Sequence, residues 1–339
     1  MSQSERFLNF LENFQVAFWL YHMGDYITIE RLKTKALKQN CGKKVQLSIE
    51  VCRDIKWWRD NVMESYAPIY RGNPLIEITT DASSIGWGAS RDGVSTAGQF
   101  TESEKEDHIN VLELKAALFG LQSLCPKVTN CHILLKVDNT SAVACINKMG
   151  SVKSIPMDNV SKDIWTWAIE KNNWITATHI PGVLNVEADR ESRECAERTE
   201  WQLNPIYFEQ VVRELRFMPN IDLFASRINK QLKKFYSFRP DPDCLLVDAF
   251  TAYWGDKKFY AFPPFNCIPK ALQKICLDKA IGILVVPDWP NQPWYNQVFE
   301  AAQKVVELEP SADLLLLPQA PIRHPLWKTL GLKAVLVQG

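Results

Sequence analysis

The spacing of apolar residues changes character along the chain. Phe7, Leu8, Phe10, Leu11, Phe14 and Phe18 recur at helical intervals and predict helix over residues 5–40. A second helix is predicted over 48–64, with Ile49, Cys52, Ile55 and Val62 on one side. Stripes of this kind usually pack against a neighbouring domain. Asn73-Pro74 then marks a turn, and Leu75–Asp81 alternates as a strand does. Gly86–Ala89 and Val94–Phe100 predict two more strands, joined through Asp92-Gly93 as a hairpin. Helix is predicted over Ile109–Leu124, strand over His132–Val137, helices over Ser141–Met149 and Met157–Lys171, strand over Trp174–Ile180 and helix over Leu184–Ala196. Three strands, a helix, a strand, helices, a strand and a helix make a mixed five-stranded sheet covered by helices.

After residue 200 the pattern starts again. Asn220–Ala225 predicts a strand, and Arg227, Lys230, Lys233 and Lys234 a basic helix after it. Phe259–Phe262, Gly282–Val286 and Leu314–Leu317 predict further strands of a second, smaller α/β unit. The domain organisation expected is therefore 1–70 helical, 71–200 mixed α/β and 215–339 α/β.

Charge refines this outline. The 339 residues carry 39 basic and 39 acidic side chains, so net charge is zero. Residues 1–70 come to +2, 71–200 to −5 and 201–339 to +3. The acidic middle lacks the broad basic face of simple nucleic-acid binders, but carboxylates can meet phosphate through divalent cations. The nine cysteines include no CxxC pair, which argues against zinc. With no secretory signal at the N-terminus, free thiols in a reducing intracellular compartment are expected. No dense basic signal separates nucleus from cytoplasm. The apolar runs are too short to span a membrane.

Four acids occupy positions that chemistry can use. Asp81 ends the first strand, Glu113 lies early in the long helix, Asp138 ends the fourth strand and Asp189 lies in the helix after the fifth. Strand ends and helix starts on one sheet edge can converge. Carboxylates so placed repel unless cations lie between them, and oxygen-only ligands favour Mg²⁺ or Mn²⁺ over zinc. Two such ions suit in-line phosphodiester hydrolysis. Each acid alone reads equally well as a turn or cap residue.

The contexts of these acids resemble a known family. Thr80-Asp81-Ala82-Ser83 with Gly86-Trp87-Gly88-Ala89, Asn110–Ala116 around Glu113, Val137–Ala142 around Asp138, and His179-Ile180-Pro181-Gly182 leading through Asn185 to Ala188-Asp189 and Ser192-Arg193 resemble, in order, the motifs of type 1 ribonucleases H from reverse-transcribing elements. The resemblance implies cleavage of the RNA strand of an RNA–DNA hybrid, with Asp81, Glu113, Asp138 and Asp189 holding two Mg²⁺ (or Mn²⁺) ions. Asn139 and Asn185 are candidate substrate contacts. The family's mobile histidine loop has no counterpart, because His179 falls on the fifth strand rather than in a loop.

Lys43–Asn61 resembles the helical connection that follows the polymerase in DIRS-type retrotransposons, although the chain has no Tyr-x-Asp-Asp motif. A reverse transcriptase polymerase domain is thus an implied partner. Asp222–Ser226, Asp248-Ala249-Phe250, Trp254, Phe262-Pro263-Pro264-Phe265 and Val286-Pro287 resemble phage-type adenine-N6 DNA methyltransferases, which line an S-adenosylmethionine site with the first acidic motif. Phe262 stands where that family has Asn or Asp and cannot accept the hydrogen bonds of a target amino group, so a degenerate methyltransferase is expected. Phe235, Tyr236 and Phe238, among Lys233, Lys234 and Arg239, read either as core or as a stacking surface for single strands. The alternatives to the nuclease are a non-catalytic nucleic-acid-binding or assembly module and a DNA adenine methyltransferase.

Overall fold

The structure, a computed structural model, describes residues 72–339 except 152 and 195–199, together with Cys52, Lys56, Arg59 and Asp60. The helix predicted over 5–40 lies outside the described residues, as does that over 48–64 apart from those four positions, which are helical.

The first sheet comprises β1 (Ile76–Ala82), β2 (Gly86–Arg91), β3 (Val94–Gln99), β4 (His132–Val137) and β5 (Trp174–His179). Their order is β3-β2-β1-β4-β5, with β1 antiparallel to β2, β2 to β3, and β1, β4 and β5 parallel. This is the mixed five-stranded α/β arrangement expected from the sequence. The β2–β3 hairpin turns at Asp92 and Gly93, at φ 50° and 77°. Both positive angles match the right-handed twist of the strands, and glycine adopts one at no steric cost.

Helices α1 (Glu102–Lys105), α2 (Ile109–Leu124), α3 (Thr140–Asn147), α4 (Ile155–Glu170) and α5 (Val186–Glu194) complete this part. Helix α2 has the bounds the periodicity predicts, because Val111, Leu114, Ala117, Leu118 and Leu121 bury against Ile78, Ile133 and Leu135. Burying such side chains contributes roughly 1.5–3 kcal/mol each. Helix α5 lies over β2 at Gly88, where a Cβ would come within 2.2 Å of the Ala188 carbonyl oxygen.

Beyond residue 200 come β6 (Gln202–Leu203), α6 (Pro205–Leu215), β7 (Ile221–Asp222), β8 (Tyr236–Ser237), β9 (Leu246–Val247), β10 (Lys258–Ala261), α7 (Ile268–Asp278), β11 (Ile281–Pro287), α8 (Tyr295–Glu300), β12 (Ala302–Leu308), β13 (Leu315–Leu316) and β14 (Leu332–Gln338). The second sheet runs β12-β14-β11-β10-β7, with β7, β10 and β11 parallel and β14 antiparallel to both neighbours. Alternate residues feed separate cores on its two faces. Phe259, Ala261, Leu284, Val286 and Val335 meet α7, while Tyr260, Ile283, Val285, Ala334 and Leu336 meet α6. Among the described residues no helix is long and apolar enough to cross a membrane.

The basic helix expected at 227–234 is absent; that stretch is a series of turns. Side chains capture its backbone: Asp222 accepts from Gln231 N, Asp241 from Arg227 N and Asn229 from Ser226 N. Such bonds offer the chain an alternative to the helical ladder. The strand expected over Asn220–Ala225 shrinks to Ile221–Asp222 for the same reason.

Candidate metal centre

Thr80↔Val137 closes the parallel register of β1 and β4, so Asp81 and Asp138 leave adjacent strands side by side at their C-terminal ends. Helix α2 starts nearby, capped by the His108 side chain, and delivers Glu113 one turn in. One carboxylate oxygen from each of Asp81, Glu113 and Asp138 lies within 4.8 Å of the other two. Asp81 and Glu113 are buried, and Oε2 of Glu113 is buried with no hydrogen-bond partner.

Burial is the main force on both buried acids. It raises the Asp81 pKa to about 6, helped by the charges of Asp138 and Asp189 and opposed by a hydrogen bond from Ser192. It raises Glu113 to about 9, with the Asp81 and Asp138 charges adding to it. Carboxylates buried this closely favour their protonated forms unless positive charge is brought between them. Oxygen donors, close spacing and a partnerless buried carboxylate oxygen all fit a hard divalent cation such as Mg²⁺.

The fourth acid is placed differently. Asp189 is near enough to act on Asp81, yet it is 37% exposed and ion-paired to Arg193 at 2.6 Å. Asn185 Nδ2 donates to the Thr80 carbonyl at 3.0 Å, and its Oδ1 is buried without a partner. Asn139 caps α3 through Ala142 N and donates to Asn110 Oδ1 at 2.9 Å. Both asparagines thus brace the site's backbone. His179 is exposed at the end of β5. Sequence reading gave Ser192 no role, although its Oγ donates to Asp81 Oδ2 at 2.6 Å. Its signal in the sequence is its place in the final motif, three residues after Asp189.

In the second unit, Asp222 is fully buried and accepts from the backbone N–H groups of Phe224 and Gln231. Asp248 caps a single 3-10 turn through Phe250 N. Phe235 and Tyr236 are core residues, whereas Phe238 is 85% exposed. Phe262 and Phe265 line a cleft of about 640 Å³ between the two sheets.

No protein-family model and no curated protein sequence matches the chain. Solved structures similar to it include RNase H1 from the halophilic archaeon Halobacterium salinarum, at 15% identity and TM-score 0.32, covering 36% of this chain and 97% of that one. LC11-RNase H1, solved in complex with an RNA/DNA hybrid, is 22% identical with TM-score 0.30, covering 35% and 94%. A foamy viral protease-reverse transcriptase, also solved with an RNA/DNA hybrid, is 11% identical with TM-score 0.29, covering 51% of this chain and 32% of the viral one.

Proposed function

We propose that the chain is a metal-dependent endonuclease that hydrolyses the RNA strand of RNA–DNA hybrids, its C-terminal part being a methyltransferase-like unit that has lost its chemistry. The observation that carries this reading is the convergence of Asp81, Glu113 and Asp138 carboxylate oxygens within 4.8 Å at the C-terminal edge of two parallel strands. The boundaries proposed are a connection segment at 1–70, a ribonuclease H domain at 71–200 and the methyltransferase-like unit at 215–339. The substrate class follows from the four motif contexts, and the resemblances of Lys43–Asn61 and of the C-terminal segment support descent from a DIRS-type retroelement.

Asp81, Glu113 and Asp138, with Asp189 once freed from Arg193, would hold two Mg²⁺ (or Mn²⁺) ions. A divalent cation held there would supply activation of a water and stabilisation of a leaving oxygen in phosphodiester hydrolysis. The protein's own share is positional. Ser192 keeps Asp81 ionised and fixed in place, and Asn185 ties the α5 entry to the backbone beside Asp81. Glu113, whose pKa burial raises to about 9, would have to give up its proton to serve as a ligand.

The Asp189–Arg193 pair favours a second reading, a non-catalytic nucleic-acid-binding module. Methyltransfer has less support, because Phe262 offers no acceptor and Asp222 is consumed by backbone bonds. A labelled RNA–DNA hybrid incubated with Mg²⁺ or Mn²⁺ tests the proposal. Cutting of the RNA strand alone, lost in Asp81→Asn, is expected; no cutting by folded wild-type protein with either ion sinks the enzyme and leaves the binding module.

A further inference from the structure

Helix α5 carries Asp189 and Ser192, yet it has almost no apolar grip on the sheet. Of its nine residues only Val186 and Ala188 are aliphatic, and Val186 is exposed. An isolated helix this short is marginal in water, so contacts with its surroundings must hold it. The contacts are mainly polar. Ser90 donates to Glu187, Ser95 Oγ donates to Glu191 at 3.0 Å, and Ser83 Oγ donates to the Ser192 carbonyl at 2.9 Å. The helix is also acidic, with four carboxylates against two arginines.

Among the described residues, a cation from outside the first sheet reaches it. Arg239, between β8 and β9 of the second unit, lies 3.7 Å from Glu191, whose side chain is 10% exposed. The Pro240 carbonyl next to it accepts from Thr96 on β3, which seats this segment against the sheet edge. Farther along the interface, Arg227 donates both terminal nitrogens to Glu104 at 3.0 and 2.9 Å and also donates to the Gln99 carbonyl at 3.0 Å.

We infer that Arg239 is a positioning residue for the metal centre: by pairing with Glu191 it holds α5 against β2 and β3, and so sets where Asp189 and Ser192 stand relative to Asp81. The second unit is then part of the nuclease although it contributes no metal ligand. The inference deepens the nuclease proposal and rests on it for its functional meaning, but the structural coupling can be measured without any cleavage.

The test uses the full chain with Arg239→Ala, Arg239→Lys and, as a size-matched neutral change, Arg239→Gln. Hydrogen exchange is followed across 186–194 and across β1, and Mg²⁺ is titrated by thermal shift. Loss of Arg239, itself 32% exposed but facing the mostly buried Glu191, should speed exchange in α5 several-fold while β1 stays protected. The same loss should raise the Mg²⁺ needed for half-maximal stabilisation by about five- to tenfold in both Ala and Gln variants, with Lys restoring most of it. Unchanged α5 exchange and an unchanged Mg²⁺ midpoint overturn the inference. So does loss of protection throughout β1, which marks a merely structural residue. Coupling that is present in a wild-type protein that cuts no hybrid removes the nuclease reading alone.

Discussion

Ser192 on α5 donates a 2.6 Å hydrogen bond to Oδ2 of Asp81 on β1, across 111 positions of sequence. The bond favours the ionised carboxylate and offsets part of the burial that pushes the Asp81 pKa to about 6. Replacing it by Ser192→Ala removes a hydrogen bond to a charged group, worth about 1.5–3 kcal/mol. Mg²⁺ binding by the variant is expected to weaken about tenfold near neutral pH and to recover as pH rises. Calorimetric titrations at two pH values check this; equal weakening at both would mean that Ser192 does not act through the Asp81 proton.

The buried acids also set a pH dependence for the metal-free protein. Asp81 and Glu113 have raised values, from 3.8 to about 6 and from 4.5 to about 9. Their protonated forms favour the folded state. That contribution is complete below pH 3.8 and is lost as pH climbs through about 6 and then about 9. The melting temperature without metal should fall between pH 5 and 9, and the gain on adding Mg²⁺ should grow over the same range. Glu113→Gln should flatten both trends. Thermal scans in chelator and in Mg²⁺ give the comparison.

Arg227 is the firmest link between the two units, and its guanidinium also lies 4.3 Å from the centre of the Phe119 ring. Arg227→Ala removes the two charge-assisted bonds to a Glu104 carboxylate that is only 16% exposed and leaves it with the Thr101 N–H and Lys115, at a cost of about 1.5–3 kcal/mol. Burial acts to raise the Glu104 pKa, but the Arg227 bonds and charge hold it below the ordinary 4.5. The stability it contributes is therefore present above pH 4.5 and lost as pH falls through the lowered value. One unfolding transition in wild type should split into two in the variant, as seen by calorimetry.

Asp222 offers a test within the second unit. Burial lifts its pKa to about 7, opposed by the N–H groups of Gln231 and Phe224. Being raised, it favours folding below pH 3.8 and loses that effect as pH passes about 7. Asp222→Asn should remove the loss of stability above neutrality, whereas Asp222→Ala, which also removes the titration, should cost about 2 kcal/mol at pH 6 by leaving two N–H groups without acceptors, and less at pH 8, where wild type has itself lost stability. Denaturant melts at pH 6 and 8 separate the two effects.

The first sheet was legible because its signals are local. Alternation in β1, Asp92-Gly93 in the hairpin and the apolar spacing of α2 each act within one element. Asp81 and Asp138 were legible for the same reason, being strand-end residues. The turns at 225–235 were not, since what defeats the helix is Asp222 and Asp241 reaching in from either side. Strands β12 and β14 were overlooked, although Leu332–Gln338 alternates towards two cores; their pairing with each other and with β11 is long-range. Nothing local marks Arg227 or Arg239 as a bridge, because their partners lie far away in sequence.

That distance has a consequence for how the protein is made. A chain leaves the ribosome N-terminal end first, and domains fold as they emerge. Strands β1–β5 and helix α2 can form as soon as residue 179 is free, but the pair that secures α5 waits for Arg239. On the inference drawn above, a nascent or prematurely ended chain carries three assembled acids and a loosely held fourth, so maturation of the site is timed by translation of the unit that follows it.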